Sequence, residues 1–310
     1  MNPKLQRCAI ALMSFVVLVT MLGAAWPVLF RDGSALAKNL EKRVWVDAVD
    51  DQAVQATMEA ELYGEDPPEV AISTHDPRPR IELVRKTDKN CAILCILIVG
   101  IVPFLVRCRR QIVWLFLLPS LWLLLNASAV AMNGGKAYAE LAIPAHATRW
   151  ILPVALTLLV LMADRSKTAV NWLLRLACAS TFAIHGWEAF QLHPGFQDLI
   201  FIASGKIGLD LPVEVCHILL RGIGIMDGLL ALSVLVVHSP RILLWMSFWG
   251  LITAFSRPLT MGWDAWPELA IRLANAAVPL LILLMGLPAL IRLQKRNERS
   301  PSLEPVSQES

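Results

Sequence analysis

The side chains of this 310-residue chain that could do chemistry are few, and they stand in apolar surroundings. Glu214, His217 and Arg221 follow one another at i, i+3 and i+7, which puts three ionisable groups on one helix face. Six residues further stands Asp227, flanked by Gly224 and Gly228, a small-xxx-small spacing that lets a neighbouring backbone approach. Arg175, His185 and Glu188 occupy a second apolar stretch. Arg272 and Asn275 open a third, just after Arg257, Asp264 and Glu268. A charged group at bilayer depth is costly, so each needs a partner, a wet cavity or a function. Taking 1.5 Å per residue, Arg221 lies about 13 Å and Asp227 about 22 Å below the start of their helix. Depth alone predicts two ion pairs, Arg221 with Glu188 and Asp227 with Arg175. The alternative is a polar cavity for a substrate, a proton or a quinone.

Four of the six histidines, His146, His185, His193 and His217, fall near one predicted membrane face. With Glu188 they could gather a metal, ligate haem or hydrogen-bond a quinone head. The His185-x2-Glu188 spacing is not a zinc signature, and no metal site is expected. The chain has no HExxH, GxSxG, P-loop or GxGxxG pattern, so chemistry of the soluble-enzyme type has no support. The cysteines Cys8, Cys91, Cys95, Cys108, Cys178 and Cys216 all lie in or beside apolar runs. None falls inside the polar insert described below, which excludes a disulfide framework there.

The elements that must position these groups follow from composition. Hydrophobic residues make up 56% of the chain and charged ones 17%, against about 25% charged in a soluble domain. Residues 31–90 hold 22 of the 53 charged residues, and the other 250 hold 31. This excludes a soluble enzyme, a disordered chain and a nucleic-acid binder. It predicts an all-α polytopic membrane protein with one polar insert, its principal partner the lipid bilayer.

Eight runs are long enough to be transmembrane helices, given roughly 20 residues per bilayer core. They are Cys8–Phe30, Cys91–Val106, Ile112–Met132, Ile143–Ala163, Ala169–Phe190, Pro212–Val237, Ile242–Ser256 and Ala270–Ile291. Phe196–Ala203 is too short to span and is expected to lie at the interface or re-enter. The first run serves as a retained anchor or as a signal peptide. With the N-terminus inside, twelve basic residues fall in cytoplasmic segments and four (Lys136, Arg149, Lys206, Arg257) in short outer loops. That distribution expects a bacterial inner-membrane protein with both termini cytoplasmic and residues 31–90 outside. Tryptophans mark most span ends, leaving Trp122 and Trp249 mid-span. Within the insert, Ser34–Leu62 is expected to contain a helix capped by Ser34, and the Pro-rich Pro67–Pro79 to interrupt it.

The two halves correspond. Arg110-x3-Trp114 opens the third span and Arg241-x3-Trp245 the seventh. Ala131–Ile143 (AMNGGKAYAELAI) parallels Thr260–Ile271 (TMGWDAWPELAI), and Pro153 and Pro279 follow. Matches at the same topological positions predict two parallel four-helix repeats.

The segment LLRLACASTFAIHGWEAF, with Arg175, Phe182, His185 and Gly186, resembles the first helix of DoxX-like membrane proteins. RGIGIMDGLLALSVLVVHSPR resembles a later, glycine-rich helix of that family, with Asp227 where glutamate is usual and Arg241 on the family's arginine. The resemblance covers Ala169–Ile291. The chain departs from the pattern in having Glu188-Ala189 where a lysine is common. The resemblance implies a four-helix unit and a membrane component of a quinone-linked redox system, working with other membrane or redox subunits. A small-solute transporter or channel, and a scaffold or sensor acting through the insert, are the rivals. The organisation expected is an anchor at 1–30, the insert at 31–90, spans two to four at 91–168, the DoxX-like unit at 169–291 and a disordered tail at 292–310. The intramembrane candidates are Arg175, His185, Glu188, His217, Arg221, Asp227 and Arg272.

Overall fold

In a bilayer core every backbone N–H and C=O must be satisfied within its own segment, so apolar runs of this length fold as helices. The computed structural model describes residues 3–48, 58, 60, 62, 78–106, 109–135, 137–162, 167–237 and 239–299, and among them there is no strand. The N-terminal half comprises α1 (Pro3–Phe30), α2 (Ala35–Ala48), α3 (Arg78–Leu105), α4 (Leu117–Asn133), the one-turn α5 (Ala142–Ala145) and α6 (Ala147–Met162). The C-terminal half comprises α7 (Lys167–Phe190), α8 (Pro194–Lys206), α9 (Val213–Val236), α10 (Pro240–Met261) and α11 (Trp266–Arg299). Short 3-10 turns at Arg110–Phe116, Ala139–Leu141 and Trp263–Ala265 lead into α4, α5 and α11.

Among the described residues, seven helical segments are long and apolar enough to cross a membrane: Leu5–Phe30, Arg78–Leu105, Arg110–Asn133, Ala139–Met162, Val213–Val236, Pro240–Met261 and Trp263–Gly286. The protein is an all-α polytopic membrane protein. The exception among the eight expected spans is α7. Its 24 residues give about 36 Å of helix, enough to span. Lys167, Arg175, His185 and Glu188 make it more polar than the rest, and it packs among α6, α9 and α11.

Several boundaries move. Helix α3 starts at Arg78, thirteen residues before the expected span, because basic residues that end a membrane-buried segment do not end a helix. Pro79 falls in its first turn, where proline costs no intrahelical bond. Helix α10 continues to Met261, which carries Arg257 out of the expected loop and into a helix. Arg149, also expected in a loop, sits in the first turn of α6. Helix α11 runs through Arg299, into the expected tail; residues 300–310 lie outside the described residues, as do 49–57 and 63–77 of the insert. The expected cap is present: Ser34 Oγ accepts the Ala37 N–H at 3.1 Å.

The packing pattern repeats between halves. Helix α1 touches α3 and α6 as α7 touches α9 and α11; α4 touches α3 and α6 as α10 touches α9 and α11. The short helix α2 leans on α3 and α4, and α8 leans on α9 and α10. Between halves, α1 packs on α11 and its counterpart α7 on α6, while α6 meets α11. Local details follow the same rule. A residue of positive φ turns the chain from α1 into α2 (Asp32, 48°) and from α7 into α8 (Leu192, 58°). Ser120 Oγ donates to Trp150 O, binding α4 to α6, and Ser247 Oγ donates to Ala276 O at 2.7 Å, binding α10 to α11. Each serine stands two residues before a mid-span tryptophan, Trp122 or Trp249. The two halves thus repeat one pattern of helix contacts, four long helices with a short one leaning across two of them. Helices α1, α6, α7 and α11 form the centre, where Met13, Met21, Leu156, Leu174 and Leu281 are fully buried.

Candidate functional site

Two close helix crossings shape the C-terminal half. Helices α7 and α9 meet at Gly186 and Gly224, where a Cβ on Gly224 would lie 2.6 Å from Gly186 O and 2.7 Å from Phe190 N. Helices α10 and α11 meet at Gly250, where a Cβ would lie 2.8 Å from Ala276 Cα. Backbones approach this closely only where no side chain intervenes. Helix α9 is thereby drawn to α7, and α10 to α11, so α9 and α10 meet only lightly although they are chain neighbours. Helix α8 leans across both. Between them lies a cavity of about 330 Å³, at the small end of the range for ligand sites. Its walls include Phe182, Phe196, Leu199, Leu220, Ile223 and Ile252.

Polar groups gather at two levels. At the end where α7 and α10 finish and α11 begins, His185, Ser256, Arg257, Thr260 and Arg272 face the cavity. Thr181, Asp227, Trp249, Thr253 and Asn275 line it deeper in. Along α10, Trp249 and Arg257 are eight residues and so about 12 Å apart, whereas Arg272 and Asn275 on α11 are three residues and about 4.5 Å apart.

The upper level is rich in cations. Arg272 pairs with Glu268, one turn earlier on α11, and donates also to the Glu268 carbonyl at 3.0 Å. Arg149, 8% exposed, is coupled electrostatically to Arg272, Glu268 and Arg257. Neither the Arg149 nor the Arg257 guanidinium makes an ion pair or hydrogen bond among the described residues, and both Nε atoms are buried without a partner. The Arg257 guanidinium stands 6.0 Å from the Phe196 ring centroid, at the limit of a cation–π contact. On the acidic side are Glu268, taken up by Arg272, and Glu188, whose Oε2 lies 3.0 Å from His185 Nδ1. Since an ionised carboxylate only accepts, His185 serves as the donor there.

Deeper down, Asp227 is 6% exposed. Asp227 Oδ1 and Trp249 Nε1 are both buried and without a hydrogen-bond partner among the described residues. The N-terminal half carries the same pair in closed form: Trp122 Nε1 donates to Asp88 Oδ1 at 2.8 Å, joining α4 to α3. Beneath the cavity, Thr148 Oγ1 donates to Asn275 Oδ1 at 2.7 Å and fixes α6 to α11.

The structure brings His185, Asp227 and Arg272 of the sequence candidates to the cavity, with Glu188 bonded to His185. It places three elsewhere. Arg175 donates to the Val234 carbonyl near the end of α9 and pins α7 to it. His217 Nε2 lies 3.1 Å from Gln197 Oε1 and ties α9 to α8. Arg221 is exposed. Neither expected ion pair forms. The buried stripe of α9 runs through Leu220, Gly224, Asp227 and Ala231, and Arg221 lies about 100° round from Leu220, off that stripe. Arg175 bonds at the level of Val234, two turns beyond Asp227. Depth was compatible; direction and register were not. Sequence reasoning missed Trp249 as a site residue and treated Arg149 and Arg257 as loop cations. The signal available was that Trp122 and Trp249 were mid-span and sat at matching places in the two halves.

Among the described residues no three His, Cys, Asp or Glu side chains are grouped to hold a metal. His185 is the histidine on the cavity wall, while the His193 ring caps α8 by accepting the Gly195 N–H at 3.0 Å. No protein-family model matches the chain, and no curated protein or solved structure is significantly similar to it.

Proposed function

We propose that this membrane protein binds a small amphiphilic molecule in its C-terminal four-helix unit, with the N-terminal unit as the closed counterpart. The observation that carries the reading is the cavity of about 330 Å³ between α9 and α10, apolar along its walls and polar at both levels. Sites for small molecules have this composition: an apolar body with a few convergent polar groups that orient the ligand. Helix bundles build such sites between helices that packing holds apart. The test is Ala203→Trp. Ala203 lines the cavity from α8 and is exposed, so an indole there fills the space without entering the packed centre. Native mass spectrometry of the intact chain from nanodiscs is expected to show a bound small molecule that this variant lacks, at an unchanged melting temperature. A wild-type chain that carries no such mass refutes the reading.

The likeness of Arg175–Gly186 and Asp227 to DoxX-like helices supports a finer version, in which the ligand is the quinone of a membrane redox system. A quinone supplies two-electron, two-proton exchange. The Trp249 N–H and the Asp227 carboxyl, incompletely bonded at mid-helix depth, are the groups of this chain that would hold its carbonyl oxygens or hold a proton beside them. The mass bound to the wild type separates the two versions: a quinone supports the redox reading, and any other molecule removes it. The paired four-helix units are what a solute transporter would also use, and flux into proteoliposomes reads that alternative.

A further inference from the structure

We infer that the ligand is an organic anion, a single carboxylate or phosphate on an apolar body, with its oxyanion held by Arg257, Arg272 and Arg149. The inference rests on the cavity being a binding site and names what it takes. Arg257 and Arg272 line the cavity, and Arg149, which does not line it, is close enough to feel the charges of both. Arg272 is neutralised by Glu268, whereas Arg149 and Arg257 have no ion-pair or hydrogen-bond partner among the described residues. A buried guanidinium without an anion is among the costliest features a membrane protein can keep. Its planar fork of donors matches an oxyanion, and the Arg257 fork beside the apolar chamber, with Arg272 on the same wall, presents donors that no carboxylate of the described residues takes up at Arg257. The Phe196 ring beneath Arg257 holds that cation at the rim, over the apolar walls.

The acidic wall restricts the ligand further. Asp227 lines the cavity from α9 and offers a second acid no cation, so the molecule is acidic at one end only. The remainder is apolar, or ends in a neutral group able to bond to Trp249. Such an anion comes either from the lipid of the surrounding leaflet or from water as an organic acid.

The experiment is equilibrium binding of labelled decanoate, 1-decanol and butyrate to the full chain in nanodiscs. Decanoate is expected to bind at least about tenfold more tightly than 1-decanol. Arg257→Gln and Arg149→Gln should abolish that preference, Arg257→Lys should retain most of it, and Arg221→Gln, away from the cavity, should leave it intact. Both Gln variants should melt no lower than the wild type without ligand, since each removes a cation with no ion-pair partner among the described residues. A structural role would lower melting and leave the preference, and that result overturns the inference. Equal binding of decanoate and 1-decanol overturns the anion site but keeps the cavity reading. Binding of neither overturns both. Butyrate as tight as decanoate identifies a water-borne acid, and butyrate far weaker identifies a lipid-derived one; either supports the oxyanion site.

Discussion

The two halves share one plan and differ in whether it closes. In the N-terminal half the Trp122 indole reaches Asp88 at 2.8 Å, and α4 is tied to α3. In the C-terminal half Trp249 and Asp227 stand on the counterpart helices α10 and α9, but Trp249 Nε1 and Asp227 Oδ1 have no hydrogen-bond partner among the described residues and a cavity lies there instead. The difference traces to neighbours of the pair. Three residues before Asp88 stands Arg85, and three before Asp227 stands Gly224. The residue after Trp122 is Leu123, and that after Trp249 is Gly250. The two glycines let α9 sink onto α7 and α10 sink onto α11, so the helices retreat from each other. Close contact at two crossings creates the space at the third. Polar groups left incomplete by that retreat are what a ligand can complete.

This account breaks most readily at Gly224. An alanine there puts a Cβ 2.6 Å from the Gly186 carbonyl oxygen, a backbone atom that cannot swing aside. Gly224→Ala is expected to lose about 2–3 kcal/mol, the range for overpacking a tight contact. Gly100, on the equivalent helix α3, has nothing within 4 Å of its would-be Cβ. Gly100→Ala should stay within about 0.5 kcal/mol of the wild type or gain slightly, alanine being the better helix former. Unfolding in mixed micelles measures both. Equal stability of the two variants would mean that the crossing does not hold the cavity open.

The tryptophan pair gives a smaller effect of opposite placement. Trp122→Phe removes a bond to a carboxylate that is 3% exposed and leaves it unsatisfied. Bonds within membranes average about 0.6 kcal/mol with a maximum near 1.7, and a charged acceptor belongs toward the upper end, so about 1 kcal/mol is expected. Trp249→Phe should cost well under that, because no complete bond is lost, while weakening whatever the cavity binds. Comparable destabilisation by both substitutions would show that the pair is closed in each half.

The fold was legible because hydrophobic length and helix are nearly the same statement in a bilayer. The Ser34 cap and the matched motifs around Glu140 and Glu268 were legible for a local reason: each depends on residues a few positions apart. The site was legible only in part. Charges on α7, α9 and α11 lie in the half that holds the cavity, and His185, Asp227 and Arg272 line it. The partners could not be read, because depth along a helix says nothing about the direction a side chain takes around it, as Arg221 shows. Arg257 was hidden by a boundary shift of one residue past Ser256, and Arg149 by being counted with the outer-loop cations although it stands in the first turn of α6. Asp88 was hidden by its place among the charges of the insert.

The turns that lead out of α1 and α7 offer the finest comparison. Both hold a residue at positive φ, Asp32 in one and Leu192 in the other, and aspartate tolerates that conformation where leucine is strained. Asp32 has a further role. Its carboxylate accepts a hydrogen bond from Lys89 Nζ at 3.1 Å, and that bond together with the lysine charge holds its pKa below the usual carboxylate range. A depressed folded pKa means stability that is present above the ordinary carboxylate value and is lost as pH falls through the depressed one. Asp32 is largely exposed, so solvent screening keeps the effect small. Asp32→Asn keeps the turn and removes the titration. The melting difference between wild type and Asp32→Asn should favour the wild type at about pH 6 and shrink toward about pH 3, other carboxylates cancelling between the two chains. A difference that does not change with pH would show that the Lys89 contact adds nothing to the join between the first turn and α3, and that the turn is held by its backbone alone.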